Sequence, residues 1–400
     1  MLLNLDRAKE IMEKYDLDAL VAAAPENVYY LSDFGFSHLF IFAQYGVAAA
    51  VLPRDENIPA TLIVGEVDIP HLEVNPTWMP EIRMIGSLGA HFSEAVELTD
   101  REARIRDSWT RIATRGLRSP NRQVVLAACL KELGLGNSRL AFDDLRVMVE
   151  LREMGVCDES AVDGVNIFRE IRLKKTPAEL SLLREAAVMN QTALRQALPL
   201  LKDGVTMREV RNAWRVSMVL QGATPVEFYA GGFDRPWPMG SEMYRLRDGD
   251  HMQLDGAGTY KHYWADVGRT GVIGGASPRV EEIHGRLLEI YETCVPMLRP
   301  GVSSAEIKEA ARECASDDLR KGLNTLMHPL GLEVYEMPQP YGEVEREDFT
   351  LEVDMVVALE CCLYMEFPWG VMQLEDAFIV GDNSVELLGD LPQALLGPDV

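Results

Sequence analysis

Four acidic residues stand inside stretches that otherwise have the apolar composition of buried β-strands. Glu360 lies within "MVVALECCLY" and Glu375 lies within "VMQLEDAFIV". Asp255 and Asp266 lie on the two sides of the turn in "MQLDGAGTYKHYWADVGRT". Because burial of an unpaired carboxylate costs several kcal/mol, a fold that encloses all of these groups needs cations among them.

The spacing in each segment predicts that the acidic residues face each other across β-hairpins. If the first segment folds directly after Tyr260, Asp255 and Asp266 become cross-strand partners with Cβ atoms about 5 Å apart. If the second segment folds within "FPWG", Glu360 and Glu375 become partners in the same way. At that distance like charges repel each other unless a positive charge lies between them.

His328, in "LMHPLGLEVYEMPQP", is the candidate nitrogen ligand for such a cation. A nitrogen donor among carboxylates favours manganese, iron, cobalt or zinc over magnesium or calcium. Two divalent ions would balance the carboxylates and hold a water-derived nucleophile. Taken singly, an aspartate beside a turn is usually a turn former, and an isolated histidine is usually a hydrogen-bonded core residue. Glu360 has no such alternative, and Asp376 points to the other face of its strand.

Composition excludes several kinds of partner. The net charge of −24 argues against nucleic acid and against an anionic membrane surface. No stretch approaches the roughly 20 apolar residues of a membrane span, and the first residues lack the apolar core of a signal peptide. The six cysteines show no C-x-x-C spacing, so we expect reduced thiols. These features predict a cytoplasmic protein.

The order of elements predicts two domains in the 400 residues. An opening helix and the strand-like segments "LDALVAAAP", "NVYYLSDF", "YGVAAAVLP" and "IPATLIVG" predict an α/β domain over residues 1–155. Thr176, Pro177 and Glu179 have the N-cap pattern of a new helix, and Thr206 with Glu209 repeats the cap. We therefore expect an α+β domain over residues 163–390, with helices covering one face of a mostly antiparallel sheet.

Several segments resemble the creatinase/prolidase, or pita-bread, metallopeptidases, which include proline dipeptidase, aminopeptidase P and methionine aminopeptidase. "LDALVAAAPENVYYLSDF" resembles the family's N-terminal domain, "REIRLKKTPAELSLLREAA" the entry to its catalytic domain and "LRPGVSS" an inter-helix turn. "DGAGTYKHYWADVGRT", "HPLGLEVYE", "ALECCLY" and "VMQLEDAFIV" resemble its metal-binding segments in order. The resemblance implies a pita-bread catalytic domain, a homodimer in which the neighbouring N-terminal domain closes the site, and a dinuclear centre with the ligands Asp255, Asp266, His328, Glu360 and Glu375.

Two positions depart from the pattern of the proline-specific members. Those members carry a histidine 17 residues before the first ligand aspartate, where this chain has Pro238. They carry a second histidine seven residues after the ligand histidine, where this chain has Tyr335. Because both histidines bind the scissile peptide and move its protons, the departures predict a changed substrate. Trp237 and Tyr335 are then expected to form one wall of the substrate pocket, where an aromatic face suits a small cation.

These features lead to three hypotheses about function. The first is a dinuclear metallohydrolase acting on a dipeptide or a small polar or zwitterionic amide, with Glu360 as ligand and proton carrier and Tyr335 donating to the oxyanion. The second is a metal-dependent lyase, because the tryptophan segment and the "LED" ending also resemble the dimethylsulfoniopropionate lyase of this fold. The third is a non-catalytic binding module, against which the intact set of five ligands argues.

Overall fold

The computed structural model describes residues 1–86, 96–229, 242–338, 348–366 and 370–399. The chain divides into two compact units, Met1–Arg172 and Leu173–Val400. Within the described residues, no helix is long and apolar enough to cross a membrane.

The first unit is an α/β domain built on a mixed sheet. Its strands are β1 (Ala19–Ala22), β2 (Ala48–Pro53), β3 (Thr61–Gly65), β4 (Glu81–Ile85), β5 (Leu140–Phe142) and β6 (Val162–Asp163), in the sheet order β4-β3-β2-β1-β5-β6. Its helices are α1 (Leu5–Lys14), α2 (Pro25–Ser32), α3 (Ser37–Ile41), α4 (Asp100–Ala113), α5 (Arg122–Glu132), α6 (Leu145–Glu153) and α7 (Val165–Arg172). The strands β2 and β3 confirm the predictions made from "YGVAAAVLP" and "IPATLIVG".

Two expectations for this unit need correction. The segment "NVYYLSDF" was expected to be a strand, but it lies mostly in α2, which has Pro25 at its first helical position. A short apolar run without clear alternation fits a buried helix as well as a strand, and here the proline-initiated helix prevails. The unit also continues past residue 155 to Arg172, because β6 pairs with β5 and α7 packs against α1.

The second unit carries a long antiparallel sheet with helices. Its strands are β7 (Thr224–Tyr229), β8 (His251–Tyr260), β9 (Tyr263–Val272), β10 (Leu323–Pro329), β11 (Val356–Glu366), β12 (Gly370–Val380) and β13 (Val385–Leu387). The sheet order is β10-β11-β12-β9-β8-β7, with β13 also paired to β12. Its helices are α8 (Pro177–Ala197), α9 (Met207–Leu220), α10 (Pro278–Cys294) and α11 (Ser304–Cys314).

The predicted helix starts are confirmed. Thr176 and Glu179 form a capping box at the start of α8, and Thr206 and Glu209 form another at the start of α9. In each box the threonine side chain accepts from the backbone N–H three residues later, and the glutamate side chain accepts from the N-cap backbone N–H. These bonds satisfy donors that the first helical turn leaves without partners.

The hairpin of β8 and β9 folds one residue later than its acidic residues indicated. Asp255 pairs with Gly268 and Asp266 pairs with Ala257, so the two aspartates are not direct partners. The reason is the two-residue turn Lys261–His262, in which both residues have positive φ, as a type I′ turn requires. Because the offset between the aspartates is two residues, both side chains still point to the same face of the sheet.

The contacts of Asp376 confirm the expectation that its side chain faces away from that of Glu375. Its Oδ1 lies 2.7 Å from a terminal nitrogen of Arg269, and both side chains are buried. Its Oδ2 accepts from the hydroxyl of Tyr291 at 2.7 Å and from Nε2 of Gln393 at 3.1 Å. Arg269 also donates to the carbonyl oxygens of Leu391 and Pro392. This buried ion pair fixes the C-terminal segment to the strands that carry the acidic residues.

Replacing Arg269 by methionine is therefore expected to destabilise the second unit strongly. The substitution leaves Asp376 buried without its cation, which typically costs about 3–5 kcal/mol. Urea denaturation of metal-free protein measures the change in the free energy of unfolding. Arg184→Met is the control, because Arg184 and Glu386 form a comparable pair on the surface, where the loss is about 1 kcal/mol or less. Equal effects of the two substitutions would contradict this account of the buried pair.

Candidate metal centre

The sheet of the second unit places three acidic residues in one row across four strands. Asp255 pairs with Gly268, Gly268 pairs with Glu375, and Glu375 pairs with Glu360. The pairing of Glu360 with Glu375 is the register that the sequence predicted. Gly268 is needed in this row, because a Cβ atom there would lie 2.4 Å from the side-chain carbon Cδ of Gln373. The row thus brings acidic side chains together on one face.

His328 lies on the edge strand β10, and its side chain points to the same face of the sheet. Its Nε2 lies 3.1 Å from Oε1 of Glu360, 3.9 Å from Oδ2 of Asp266 and 4.0 Å from Oε1 of Glu375. One ligand atom from each of Asp266, His328 and Glu375 lies within 4.8 Å of the others. The structure therefore brings the five residues predicted as ligands, Asp255, Asp266, His328, Glu360 and Glu375, to one place.

The donor atoms have the spacing of ligands that share an ion. Nitrogen and oxygen donors about 2.1 Å from a common ion lie roughly 3–4 Å from each other over ordinary coordination angles. Buried atoms that have no hydrogen-bond partner include Asp266 Oδ1 and Glu375 Oε1. Because buried polar atoms normally have partners, these oxygens fit a centre whose remaining partners are cations.

The pKa values of the carboxyl groups reflect the same excess of negative charge. Burial raises the pKa of Asp255 to about 8, and the charge of Glu360 adds to the effect. Burial, followed by neighbouring carboxylates, raises the pKa values of Asp266 and Glu375 well above the usual range. Without cations the cluster retains protons at neutral pH. A divalent ion would displace those protons on binding.

Two buried glutamines hold the carboxylates in position, and the sequence reasoning missed both. Nε2 of Gln373 donates to Oε2 of Glu375 at 2.8 Å and to Oδ2 of Asp255 at 3.4 Å. Nε2 of Gln253 donates to Oδ2 of Asp255 at 3.1 Å and also to Oε1 of Gln373. Each glutamine lies two residues before an acidic residue on the same strand. A polar residue at that spacing shares the buried face, so strand alternation could have identified them.

Tyr335 lies against the histidine of the cluster. Its ring centroid is 4.5 Å from that of the His328 imidazole, with an interplanar angle of 66°. The next residue, Glu336, forms a buried ion pair with Lys175 at 2.6 Å and accepts from the backbone N–H of Leu332 at 3.0 Å. The segment after β10 thus holds Tyr335 at the centre. The other predicted wall residue, Trp237, and the neighbouring Pro238 lie outside the described residues.

Comparisons with protein families agree with this architecture. The family model of metallopeptidase family M24 matches residues 181–382, and that of the creatinase/prolidase N-terminal domain matches residues 4–71. The chain belongs to metallopeptidase family M24. It is therefore a peptidase-type hydrolase that depends on divalent metal, with a creatinase-like N-terminal domain followed by a pita-bread catalytic domain.

Individual relatives support the same assignment. The Xaa-Pro dipeptidase of Pyrococcus furiosus is 27% identical over 238 residues, which are 58% of this chain and 67% of the relative. The Xaa-Pro dipeptidase of Pyrococcus horikoshii is 26% identical over 277 residues, which are 67% of this chain and 75% of the relative. The crystal structure of the prolidase from Pyrococcus horikoshii OT3 has the same fold, with a TM-score of 0.73, 21% identity and coverage of 98% and 99% of the two chains.

The raised pKa values predict that metal-free protein becomes less stable as the pH rises. The unfolded chain loses these protons near pH 4, whereas the fold keeps that of Asp255 up to about 8. The folded state thus binds more protons between those values, and its stability falls across the interval. Bound divalent ions replace the protons, so the stabilisation by metal should grow with pH.

Thermal unfolding at about pH 5.5, 7 and 8.5, with chelator or with saturating manganese, measures this effect. Asp255→Asn is the matched variant, because it removes one carboxyl group whose pKa is raised. The stability of the metal-free variant should therefore depend less on pH. If the midpoint temperature of unfolding of the metal-free protein rises between about pH 5.5 and 8.5, this link between proton binding and stability is disproved.

Proposed function

We propose that this metallopeptidase is a dinuclear enzyme that hydrolyses dipeptides or other small polar or zwitterionic amides. The observation that carries the proposal is the cluster of four buried or partly buried carboxylates and one histidine, in which oxygens of Asp266, Glu360 and Glu375 lie 3.1–4.0 Å from His328 Nε2. The four carboxylates carry the charge that two divalent ions balance. Manganese, iron, cobalt and zinc all suit a set of carboxylates with one imidazole.

The residues of the chain have distinct roles in this proposal. Divalent ions held by the acidic cluster and His328 would supply the Lewis acidity that activates a water and polarises the scissile carbonyl. Gln253 and Gln373 orient the carboxylates of Asp255 and Glu375 through their amide N–H groups. Glu360 both binds metal and carries a proton from the attacking water to the leaving amine. Tyr335, whose ring lies beside that of His328, donates a hydrogen bond from its hydroxyl to the developing oxyanion.

The proposed substrate differs from that of the Xaa-Pro dipeptidases to which the chain is similar. A phenol with an ordinary pKa near 10 donates hydrogen bonds well but transfers protons poorly at neutral pH. Proline at position 238 has no side-chain donor or acceptor. We therefore propose that Tyr335 borders a smaller pocket, which accepts a compact and positively charged group.

The alternative functions have less support. Membership of a metallopeptidase family does not favour the lyase, and the complete cluster does not favour a binding module. A homodimer and a cytoplasmic location stay predictions.

The dinuclear proposal predicts that the purified protein binds about two divalent ions per chain. One divalent ion would leave the four carboxylates with two uncompensated charges in a buried position. Elemental analysis after loading with manganese, iron, cobalt or zinc and removal of excess metal gives the number. A value below about half an ion per chain with every metal would exclude the proposal.

The substrate proposal predicts weak turnover of Xaa-Pro dipeptides. General acid–base assistance contributes about 10²–10⁴-fold, and both imidazoles that provide it in proline-specific relatives are replaced. Steady-state kinetics of metal-loaded enzyme compare Ala-Pro and Gly-Pro with Met-Ala and with small cationic amides. Tyr335→Phe keeps the ring but removes the hydroxyl, so it should lower kcat more than it raises KM. A kcat/KM above about 10⁴ M⁻¹s⁻¹ for an Xaa-Pro dipeptide would refute the changed specificity.

A further inference from the structure

Arg122, the first residue of α5 in the N-terminal unit, is a buried arginine whose charge has no ion-pair partner among the described residues. It is 6% exposed. Its Nη1 donates to the carbonyl oxygens of Ala23 at 3.3 Å and Ala48 at 3.2 Å, whereas its Nε is buried without a hydrogen-bond partner. Buried charged groups normally have such partners. The edge formed by Nε and Nη2, with which arginine binds carboxylates through two parallel hydrogen bonds, is therefore left unused.

A cavity of about 130 Å³ lies beside this guanidinium group. It is lined by residues 43–46, by the first turn of α5 and by residues of α6 with its N-cap. Gly46 has a φ of +65°, and a Cβ atom there would lie 3.0 Å from Nε and 3.3 Å from Nη2 of Arg122. Glycine thus keeps the space beside these nitrogens empty. At about 30 Å³ for each water molecule, the cavity has room for a group larger than one or two waters.

The nearest acidic side chains already have other partners. The carboxylate of Asp143 accepts from two backbone N–H groups and from the side-chain amide of Asn27. The carboxylate of Asp144 accepts from Nε of Arg146 at 3.0 Å and from its Nη2 at 2.9 Å. Neither aspartate therefore supplies the missing partner of Arg122.

The electrostatics of the cavity favour a singly charged anion. The first turn of α5 presents backbone N–H groups, which attract negative charge. Burial lowers the pKa of the Arg122 guanidinium, whereas the charges of Asp144, Asp143 and Glu150 raise it. Asp144 and Glu150 also line the cavity, so a doubly charged phosphate would meet more repulsion than a carboxylate.

We propose that this cavity binds the carboxylate group of a small molecule, which accepts hydrogen bonds from Nε and Nη2 of Arg122. The site lies wholly within the N-terminal unit and does not depend on the proposed metal chemistry. Through Nη1, Arg122 already contacts Ala23, directly after β1, and Ala48, at the start of β2. A bound carboxylate therefore adds a contact between α5 and the segment 43–46 that precedes β2.

NMR of the full-length protein labelled with ¹⁵N and ¹³C in arginine tests the proposal through the Nε–Cζ signals. Sodium acetate is the probe, and sodium chloride keeps the ionic strength constant. Arg122→Lys identifies the Arg122 signal by its loss. That signal should shift saturably, with a dissociation constant on the order of 1–10 mM for a ligand that makes two charge-assisted hydrogen bonds. The signal of Arg184 should stay in place, because this side chain is already bound to Glu386.

Gln123→Glu provides a variant that leaves the buried arginine intact. Gln123 lines the cavity in the first turn of α5, where a glutamate suits the helix. The added carboxylate competes with acetate for the same charge, so acetate should bind at least about tenfold more weakly. Gln123→Ala is the matched neutral control and should retain the acetate-induced shift of the Arg122 signal.

The outcomes decide between a binding site and a structural arginine. If neither acetate nor inorganic phosphate shifts the Arg122 signal saturably, the proposal is overturned and Arg122 serves only to join the carbonyls of Ala23 and Ala48. Tighter binding of phosphate than of acetate overturns the assignment to a carboxylate. Unchanged acetate binding in Gln123→Glu places the ligand elsewhere and also overturns the proposal.

Discussion

The acidic cluster on one face of the C-terminal sheet is the constraint on which the rest of the catalytic unit depends. The carboxyl groups of Asp255, Asp266 and Glu375 have raised pKa values because burial and mutual repulsion both disfavour the charged forms. A sheet face of this kind is stable only with protons or cations on it. The fold therefore couples its own stability to metal binding, and the strands that build the face are the longest in the part of the chain that the structure describes.

On the opposite face of the same strands, an arginine of the protein compensates the charge of a buried carboxylate. Asp376 follows Glu375 directly, and strand alternation sends the two carboxylates to opposite sides. On one side Glu375 faces His328, whereas on the other Asp376 is neutralised by Arg269 and accepts from Tyr291. The protein supplies the counter-charge itself where rigidity is needed. On the face of Glu375, where catalysis is proposed, the counter-charge would come from bound cations.

The sequence predicted the composition of the cluster better than its geometry. Acidic residues in apolar strands were identifiable because no local structure explains them, and the pairing of Glu360 with Glu375 followed from their spacing. The offset of Asp255 from Asp266 did not follow, because it depends on positive φ at Lys261 and His262. The supporting glutamines were missed because an amide in a strand carries no charge signal. The pairing of Glu375 with Gly268 joins residues that are 107 positions apart in the sequence, and no local pattern specifies it.

The segment after β10 fixes the geometry of the centre independently of the side chain at position 335. Glu336 forms its buried ion pair with Lys175, and its backbone N–H donates to the carbonyl of Pro329 at 2.9 Å. The backbone N–H of Trp264 on β9 donates to the carbonyl of Gly331 at 2.8 Å, which ties the same segment to the strand of Asp266. Because these bonds involve backbone groups and a separate ion pair, they do not depend on the side chain at position 335. The ring of Tyr335 can therefore lie beside His328 without displacing the residues of the cluster, so the proposed change of substrate requires no change in the residues proposed to bind metal.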